Sequence, residues 1–302
     1  MTDRSNLIPW VEKLKGAHIL VVGDAMLDRF VSGDVERISP EAPIPILRVR
    51  HENAMPGGAG NVVRNLAALG ASATFIGVAG ADAAADELKA ALAQHTGVSV
   101  ELIADATRPT TIKVRYLAGN QQMLRTDWES SEPFSDQIGD AVLNATLAAI
   151  PNCNAVVLSD YDKGVLADGR AAKIIAAARD AGKPVVVDPK GDDFGRYPGA
   201  SLITPNRKEL EHAANTTVAD DAAITAAALS LISKHGLGGM LVTRSADGMT
   251  LIDAEGNAQH LAAESREVFD VSGAGDTVVA AVAAMIGAGA AVIDAACVAN
   301  TA

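Results

Sequence analysis

Aromatic side chains are scarce in this sequence, since Phe, Trp and Tyr together make up 3% of its 302 residues. Hydrophobic residues nevertheless reach 49%. A sizeable core must therefore be built mainly from Ala, Val, Leu and Ile, as is common in layered α/β proteins. The two cysteines, Cys153 and Cys297, lie too far apart in the sequence for a metal-ligand motif. We interpret both as reduced, buried thiols.

Positive charge is also in short supply, with 25 Lys and Arg against 37 Asp and Glu and a formal net charge of −12. Non-specific nucleic-acid binding requires a basic surface, so this balance argues against a nucleic-acid partner. An acidic substrate stays open, because a pocket needs only a few local cations. Residues 1–16 lack the apolar segment of a signal peptide, and the longest apolar run, Thr277–Ile293, is short for a membrane span. We expect a soluble cytoplasmic protein with no membrane partner.

Short apolar runs alternate with helical stretches along most of the chain. The runs are typical of strands that are buried on both faces of a parallel sheet. They cover residues 17–23, 73–77, 155–158, 184–188, 202–204 and 240–243, and the predicted helices cover 61–69, 82–95, 136–149, 168–181 and 220–235. This alternation predicts right-handed βαβ units and a doubly wound α/β sheet.

Two stretches interrupt the alternation. Residues 33–50 contain three prolines and no helical period, and residues 109–127 alternate like a hairpin around a Gly119-Asn120 turn. Neither stretch suits the space between parallel core strands. We therefore predict a small β-sheet beside the main domain, which can act as a lid.

The strongest functional pattern is DVSGAGDT at Asp270–Thr277, followed directly by an apolar helical run. Gly273, Ala274 and Gly275 at a helix start expose backbone N–H groups, and the helix dipole adds positive potential there. They predict an anion hole for a transferred phosphoryl group. The carboxylate of Asp276 can accept a proton from an attacking hydroxyl. The alternative is a glycine-rich turn with Asp276 as a helix stabiliser, and the longer context favours catalysis.

A second pattern, PGGAGN at Pro56–Asn61, leads into another helix. The adjacent Gly57 and Gly58 let a polar ligand approach the backbone closely. Asn61 can donate and accept hydrogen bonds with sugar hydroxyls. Taken alone, this motif is equally compatible with a flexible loop and an ordinary helix residue at Asn61.

Together the two motifs resemble the signature regions of the pfkB carbohydrate kinases, and the resemblance extends over essentially the whole chain. The second signature of that family usually reads DTxGAGD; Val271 replaces its Thr here, while Gly273–Asp276 is intact. The resemblance implies a ribokinase-like α/β fold, with a mainly parallel central sheet between helices and a small β-sheet lid. It also implies the use of ATP and Mg²⁺, and a homodimer formed through the lid.

Within the family, Gly23–Phe30 and Glu36–Pro45 resemble the kinases of D-glycero-D-manno-heptose 7-phosphate. This resemblance implies phosphorylation of the anomeric C1 hydroxyl to the β-1,7-bisphosphate, for ADP-heptose and lipopolysaccharide core synthesis. Many such kinases are fused to a nucleotidyltransferase, and we expect the stand-alone type, a single kinase domain. Alternatives are a fructose, ribose or nucleoside kinase, or a catalytically inactive sugar-phosphate sensor.

The resemblance also implies roles for individual polar residues of a sugar site. Asp24, at the end of the first strand, is expected to accept hydrogen bonds from sugar hydroxyls. The alternative is an acidic turn residue at a strand end. Asp160 is expected either to accept hydrogen bonds from sugar hydroxyls or to pair with Lys163. A phosphorylated sugar needs fixed cations, and the candidates are Arg115, Arg125 and Lys163, each of which can equally be a solvated surface charge.

On the nucleotide side, Asn206 and Glu209 match the NxxE element of the family, which the resemblance links to Mg²⁺ through water. The same spacing also forms a helix capping box. Thr243–Gly248 resembles the nucleotide-binding TxGxxG loop, with Ser245 in place of its first glycine. The remaining residues expected on this side are Lys190, Arg207, Lys208, Thr243, Arg244, Gly248 and Asn300.

Overall fold

The computed structural model describes residues 8–263 and 273–301. Its strands are β1 (His18–Gly23), β2 (Ala25–Ile38), β3 (Pro45–Gly58), β4 (Ser72–Ala79), β5 (Val98–Ala104), β6 (Thr111–Ala118), β7 (Gln121–Trp128), β8 (Ala155–Ser159), β9 (Val185–Asp188), β10 (Leu202–Ile203), β11 (Gly239–Thr243), β12 (Met249–Asp253) and β13 (Ala258–Leu261). Its helices are α1 (Ile8–Lys13), α2 (Ala59–Ala68), α3 (Ala83–Ala93), α4 (Asp136–Ala149), α5 (Arg170–Asp180), α6 (Arg207–Ala214), α7 (Asp221–His235), α8 (Ala274–Gly287) and α9 (Val292–Ala299).

The main sheet has nine strands in the order β13-β12-β11-β10-β9-β8-β1-β4-β5. All its strands run in the same direction except β12, which pairs antiparallel with both β11 and β13 at one edge. The six predicted strands and five predicted helices are confirmed, with ends that differ by two residues at most. The sequence reading missed β5, β12 and β13, which lie at the two edges of the sheet and are less apolar than the central strands.

Two hydrophobic cores lie on opposite faces of this sheet. Along β1, Ile19 and Val21 point into the core that contains residues of α2, α3, α8 and α9. Leu20 and Val22 point into the core that contains residues of α4, α5, α6 and α7. This three-layer arrangement explains why the central strands are continuously apolar. It also explains the long apolar run of α8, which is buried in the first core, and no helix within the described ranges is long and apolar enough to cross a membrane.

The lid sheet contains four strands in the order β3-β2-β6-β7. Strands β2 and β3 are antiparallel, β2 and β6 are parallel, and β6 and β7 form a hairpin around the Gly119-Asn120 turn. A second sheet was predicted, but its strands extend further than expected. Gly57 and Gly58 end β3 and do not form a loop, since they pair with Met26 and Ala25 of β2, and a Cβ at Gly57 would displace the Asp28 side chain.

The lid is joined to the main domain by very short connections. Asp24 is the only residue between β1 and β2, and α2 begins directly after β3. A third connection, before β6, is held by Thr110, which is 1% exposed. The Thr110 hydroxyl donates to Asp82 Oδ1 at 2.6 Å and accepts from the Gly80 N–H at 2.9 Å. The connections between the lid and the main domain are therefore short, and the one before β6 is fixed by buried hydrogen bonds.

Replacing Thr110 by Val should lower the free energy of unfolding by about 1–3 kcal/mol, because the buried Gly80 N–H loses its acceptor. Thr146→Val is a matched control: Thr146 is fully buried, and its hydroxyl only donates to Val142 O within α4. Its loss should change stability much less. Urea denaturation checks both variants, and equal losses would contradict the role of Thr110.

Candidate active site

Asp276 lies in the first turn of α8 and is 6% exposed. Its two carboxylate oxygens accept one hydrogen bond each, from Tyr161 Oη to Oδ1 at 2.6 Å and from Asn61 Nδ2 to Oδ2 at 2.5 Å. The helix is capped by Gly273, whose φ of +78° lies in the left-handed region. The structure thus brings together Asp276, Asn61 and the glycine-rich helix start that the sequence singled out, whereas Asp270–Ser272 lie outside the described residues.

Several charged and polar groups act on the ionisation of Asp276. Burial raises the pKa of Asp276 above its usual value, the hydrogen bonds from Tyr161 and Asn61 lower this pKa, Asp28 raises it and Arg64 lowers it. The net direction is upward. A raised pKa makes the carboxylate a stronger base.

A cavity of about 610 Å³ lies between Asp276 and the lid. Its walls combine the carboxylates of Asp28 and Asp276 with six basic side chains. The basic residues are Arg64, Lys113, Arg115, Arg125, Lys163 and Lys190, and other lining residues include Met26, Asp28, Phe30, Gly58 and Asn61. This excess of positive charge, in a chain with a net charge of −12, indicates an anionic ligand.

Two of the cavity arginines oppose each other across the lid hairpin. Arg115 of β6 and Arg125 of β7 are register partners, and like charges in this arrangement destabilise a sheet. Acidic neighbours offset part of the repulsion: Arg115 Nη1 donates to Asp28 Oδ1 at 2.8 Å, and Arg125 Nε donates to Asp127 Oδ1 at 2.9 Å. Such a pair is favourable where an anion binds between the two guanidinium groups.

Asp24 is 1% exposed and does not line this cavity within the described part of the chain. Its carboxylate accepts backbone N–H groups of Tyr161, Lys163 and Val165 at 2.8, 3.1 and 3.2 Å. Burial, and next the nearby Asp160 carboxylate, raise the pKa of Asp24 to about 6. Asp24 therefore holds the loop after β8, and its expected contact with sugar hydroxyls stays a prediction.

Asp160 is also engaged within the protein. Its Oδ2 accepts hydrogen bonds from Tyr197 Oη at 2.6 Å and from Arg196 Nη2 at 2.9 Å. The expected pair between Asp160 and Lys163 is not formed, because the Lys163 ammonium reaches across to Glu129, at the base of the lid, with a distance of 3.0 Å. Lys163 thereby joins the main domain to the lid beside the basic cavity.

A second cavity, of about 210 Å³, adjoins the first and shares four of its wall residues: Tyr161, Lys190, Gly273 and Asp276. Asp188, Asn206, Glu209 and Thr243 complete much of its lining. Asp276 and the helix start therefore lie where two compartments meet, as a reaction between two bound substrates requires.

Asn206 and Glu209 form the capping box of α6, which was one of the two readings of their spacing. Asn206 Oδ1 accepts from the Glu209 N–H at 3.0 Å, and Glu209 Oε2 accepts from the Asn206 N–H at 2.9 Å. Burial raises the pKa of Glu209. Burial, together with the carboxylates of Asp276 and Glu209, also raises the pKa of Asp188 well above its usual range.

Most of the remaining nucleotide candidates lie outside the small cavity as the described residues form it. Arg207 pairs with Asp247 at 2.9 Å, and Arg244 donates to Asp221 at 2.5 Å. These bonds anchor the turn that contains Ser245 and Gly248. Ser245 has a φ of +54°, which explains why the related TxGxxG loop has glycine at this position. Lys208 is exposed on α6, and Asn300 Nδ2 donates to Ala262 O at 2.8 Å.

The residues of the two cavities that sequence reasoning missed include five with ionisable side chains: Asp28, Arg64, Lys113, Tyr161 and Asp188. Asp188 could have been found from the sequence, because it is the last residue of a buried strand. Asp24 and Asp160 are placed similarly, directly after the buried strands β1 and β8. Arg64 and Lys113 had no such signal, since single cations on a helix or a hairpin are usually solvated. Their role depends on which face of α2 and β6 the fold turns inward.

Solved structures share this architecture. Ribokinase from Arabidopsis thaliana, in a complex with ribose and ATP, is 21% identical with a TM-score of 0.72, covering 93% of this chain and 89% of that one. Phosphofructokinase-2 from Escherichia coli, in a complex with substrates and products, is 22% identical with a TM-score of 0.76 and the same coverages of 93% and 89%. The fold is therefore ribokinase-like, as the sequence predicted.

The family follows from the sequence itself. The model of the pfkB family carbohydrate kinases matches residues 17–302. The chain belongs to this family and is a carbohydrate kinase.

The curated relatives are longer than this chain. The bifunctional protein HldE of Paramagnetospirillum magneticum is 52% identical over all of this chain, which covers 62% of that protein. The HldE of Acidiphilium cryptum is 48% identical over 95% of this chain and 59% of its own length. The chain thus spans about three fifths of the length of these relatives.

The cap of α8 can be tested by a pair of glycine substitutions. Gly273→Ala forces a side chain into the left-handed region and places a Cβ 2.6 Å from Asn61 Nδ2, so stability should fall by at least about 1–2 kcal/mol. In Gly275→Ala the new Cβ meets nothing within 4 Å, and stability should rise by up to about 1 kcal/mol. Urea denaturation measures both, and similar shifts would contradict the left-handed cap.

Proposed function

We propose that this chain transfers the γ-phosphoryl group of ATP to the anomeric C1 hydroxyl of D-glycero-D-manno-heptose 7-phosphate, giving the β-1,7-bisphosphate for ADP-heptose and lipopolysaccharide core synthesis. The observation that carries the substrate class is the opposed pair Arg115 and Arg125 in the cavity that ends at Asp276. The heptose-like segment Gly23–Phe30 supplies Met26, Asp28 and Phe30 to the same cavity. The similarity to HldE proteins supports the same assignment.

Asp276 acts as the general base in this proposal. Its carboxylate takes the proton of the C1 hydroxyl, whose oxygen then attacks the γ-phosphorus in line. The backbone N–H groups at Gly273, Ala274 and Gly275 stabilise the charge of the transferred group. Asn61 Oδ1 is buried and has no hydrogen-bond partner among the described residues, so it is available to a sugar hydroxyl.

The distal phosphate of the sugar binds to the basic wall formed by the lid. Arg115 and Arg125 face each other there, and Lys113 and Lys163 lie along the same cavity. When the phosphate binds the guanidinium groups, it replaces their acidic partners, such as Asp28. These carboxylates can then accept hydrogen bonds from sugar hydroxyls. This exchange links recognition of the phosphate to recognition of the sugar ring.

ATP occupies the smaller cavity in this proposal, with its phosphates directed toward Lys190 and the start of α8. The described residues contain no cluster of three or more His, Cys, Asp or Glu side chains that could hold a metal. Mg²⁺ suits the site nevertheless, because it binds through one or two carboxylates plus phosphates and water. Asp188 and Glu209 would hold it, since the Asp188 carboxylate accepts no hydrogen bond from the described residues. The bound ion would neutralise phosphate charge.

We further propose that the lid mediates a homodimer. The outer face of the lid sheet, opposite the cavity, exposes Leu124 and Trp128. Ile38, Ile44 and Val49 are exposed near the turn between β2 and β3. Such a grouping is unusual for a surface that faces only water. Pairing through this face would also support the cavity face of the same strands.

Asp276→Asn should retain the fold and ATP binding but reduce kcat by about 10²–10⁴-fold, the usual contribution of a general base. Asp136→Asn is the matched control, since Asp136 is also an acid in the first turn of a helix but is exposed and outside both cavities. Coupled ADP detection measures the rates. Retention of more than about a tenth of the wild-type kcat would show that Asp276 is not the base.

The enzyme should prefer the 7-phosphate over the unphosphorylated heptose by about 10²–10⁴-fold in kcat/KM, as expected for two charged hydrogen bonds. Arg125→Met should remove part of this preference and leave the rate with unphosphorylated sugar unchanged. Arg48→Met is the control, because Arg48 pairs with Glu36 and Asp34 outside the cavity. A sugar panel with mass-spectrometric product identification provides the measurement, and equal efficiency on both sugars would refute the phosphate site.

A further inference from the structure

The side chain of Tyr161 lies at the junction of the two cavities and contributes to the walls of both. Its hydroxyl donates to Asp276 Oδ1, while Asn61 donates to Oδ2 from the other side. One donor on each oxygen fixes the plane of the carboxylate. Because a carboxylate oxygen has two lone-pair sites, each oxygen keeps one site for a substrate hydroxyl.

The loop that contains Tyr161 is held in an unfavourable backbone conformation. Asp162, the next residue, has a φ of +59°, which non-glycine residues rarely adopt. The loop persists because Asp24 accepts three of its N–H groups and Arg170 donates to the carbonyl oxygens of Gly164 and Val165. Strain that the surroundings impose so completely is typical of functional positions.

A second buried tyrosine shows what is distinctive about Tyr161. Tyr197 donates to Asp160 at the same distance, 2.6 Å, but Asp160 also has an ion pair with Arg196. Asp276 has no ion pair with any residue in the described ranges. Its negative charge is stabilised by two neutral hydrogen-bond donors, Tyr161 and Asn61. Tyr161 can thus contribute more to the ionisation of the Asp276 carboxylate than Tyr197 contributes to that of Asp160.

We propose that Tyr161 is a positioning residue of the phosphoryl transfer, whose hydroxyl orients the Asp276 carboxylate and keeps it ionised in the closed site. This proposal rests on the proposed role of Asp276 as the base. Tyr161 itself loses no proton, because burial, followed by the carboxylates of Asp276 and Asp188, raises the pKa of its phenol far above its usual value.

The surroundings of Asp276 make such a donor necessary. The Asp28 carboxylate of β2 opposes the ionisation of Asp276, and Arg64 of α2 favours it, while the Asp276 carboxylate in turn raises the pKa of Asp188 of β9. Burial raises the pKa of Asp276, and the hydrogen bonds from Tyr161 and Asn61 lower it. Removing the hydroxyl should therefore raise the pKa of Asp276. As the pH falls, the carboxylate then becomes protonated, and the enzyme loses activity, at a higher pH than in the wild type.

Tyr161→Phe should move the acidic limb of the kcat/KM profile to higher pH by about one to two units, the effect of one charged hydrogen bond. The rate should recover above that limb, because the carboxylate is again ionised. Replacing Tyr161 by a difluorotyrosine, a stronger donor, should move the limb to lower pH. Tyr197→Phe is the matched control and should leave the limb where it is in the wild type.

The same pKa can be read without turnover, from the ¹³Cγ titration of aspartate-labelled protein, with the Asp276 signal assigned by its loss in Asp276→Asn. If the heptose phosphate is not the substrate, this titration still tests Tyr161. An Asp276 titration that is identical in the wild type and Tyr161→Phe overturns the proposal. If Tyr161→Phe does not fold, an unshifted titration in the difluorotyrosine protein overturns it instead.

Discussion

The active site depends on how four carboxylates are tolerated at one edge of a sheet. Asp24, Asp160 and Asp188 come from the ends of β1, β8 and β9, and Asp276 comes from α8. Like charges at such spacing oppose one another's ionisation. Asp24 is compensated by three backbone N–H groups, Asp160 by Arg196 and Tyr197, and Asp276 by Asn61 and Tyr161.

Asp188 differs from the other three, since no hydrogen bond from the described residues reaches its carboxylate. The same edge therefore contains carboxylates with separate tasks. Asp24 and Asp160 stabilise loops, whereas we propose that Asp276 exchanges a proton and that Asp188 binds a ligand cation. The division follows from which donors the fold supplies to each, because the side chains themselves are chemically alike.

The lid forms the second wall of the site, and the register of its strands determines which side chains face the cavity. Lys113, Arg115, Arg125 and Asp28 lie on one face of the lid sheet because side chains alternate along strands. A shift of one residue in either pairing would turn this charge away from the cavity and the apolar outer face toward it. Lys163 and Glu129 connect this face to the main domain.

Much of the fold was predictable, because buried parallel strands and helices have distinct hydrophobic periods. The glycine-rich start of α8 was also predictable as a helix start, since left-handed Gly273 precedes an apolar helical run, and the role of Asp276 as the base stays a proposal. The contacts of Asp24 were not predictable, because its position at a strand end does not reveal that it accepts three backbone N–H groups. Tyr161 was missed because a tyrosine after Ser159-Asp160 carries no signal until the loop conformation places its hydroxyl on Asp276.

The parallel pairing of β2 with β6 has a consequence for how the chain folds. All of α2, β4, α3 and β5 lies between these strands in the sequence. The lid cannot assemble as a local hairpin unit, because its central pair forms only after that part of the main domain has brought both strands together. Non-local pairing of this kind is slow. The cavity wall and the apolar outer face should therefore be among the last surfaces to form. A chain emerging from the ribosome can pair β2 with β3 but should leave the edge of β2 that meets β6 exposed for some time.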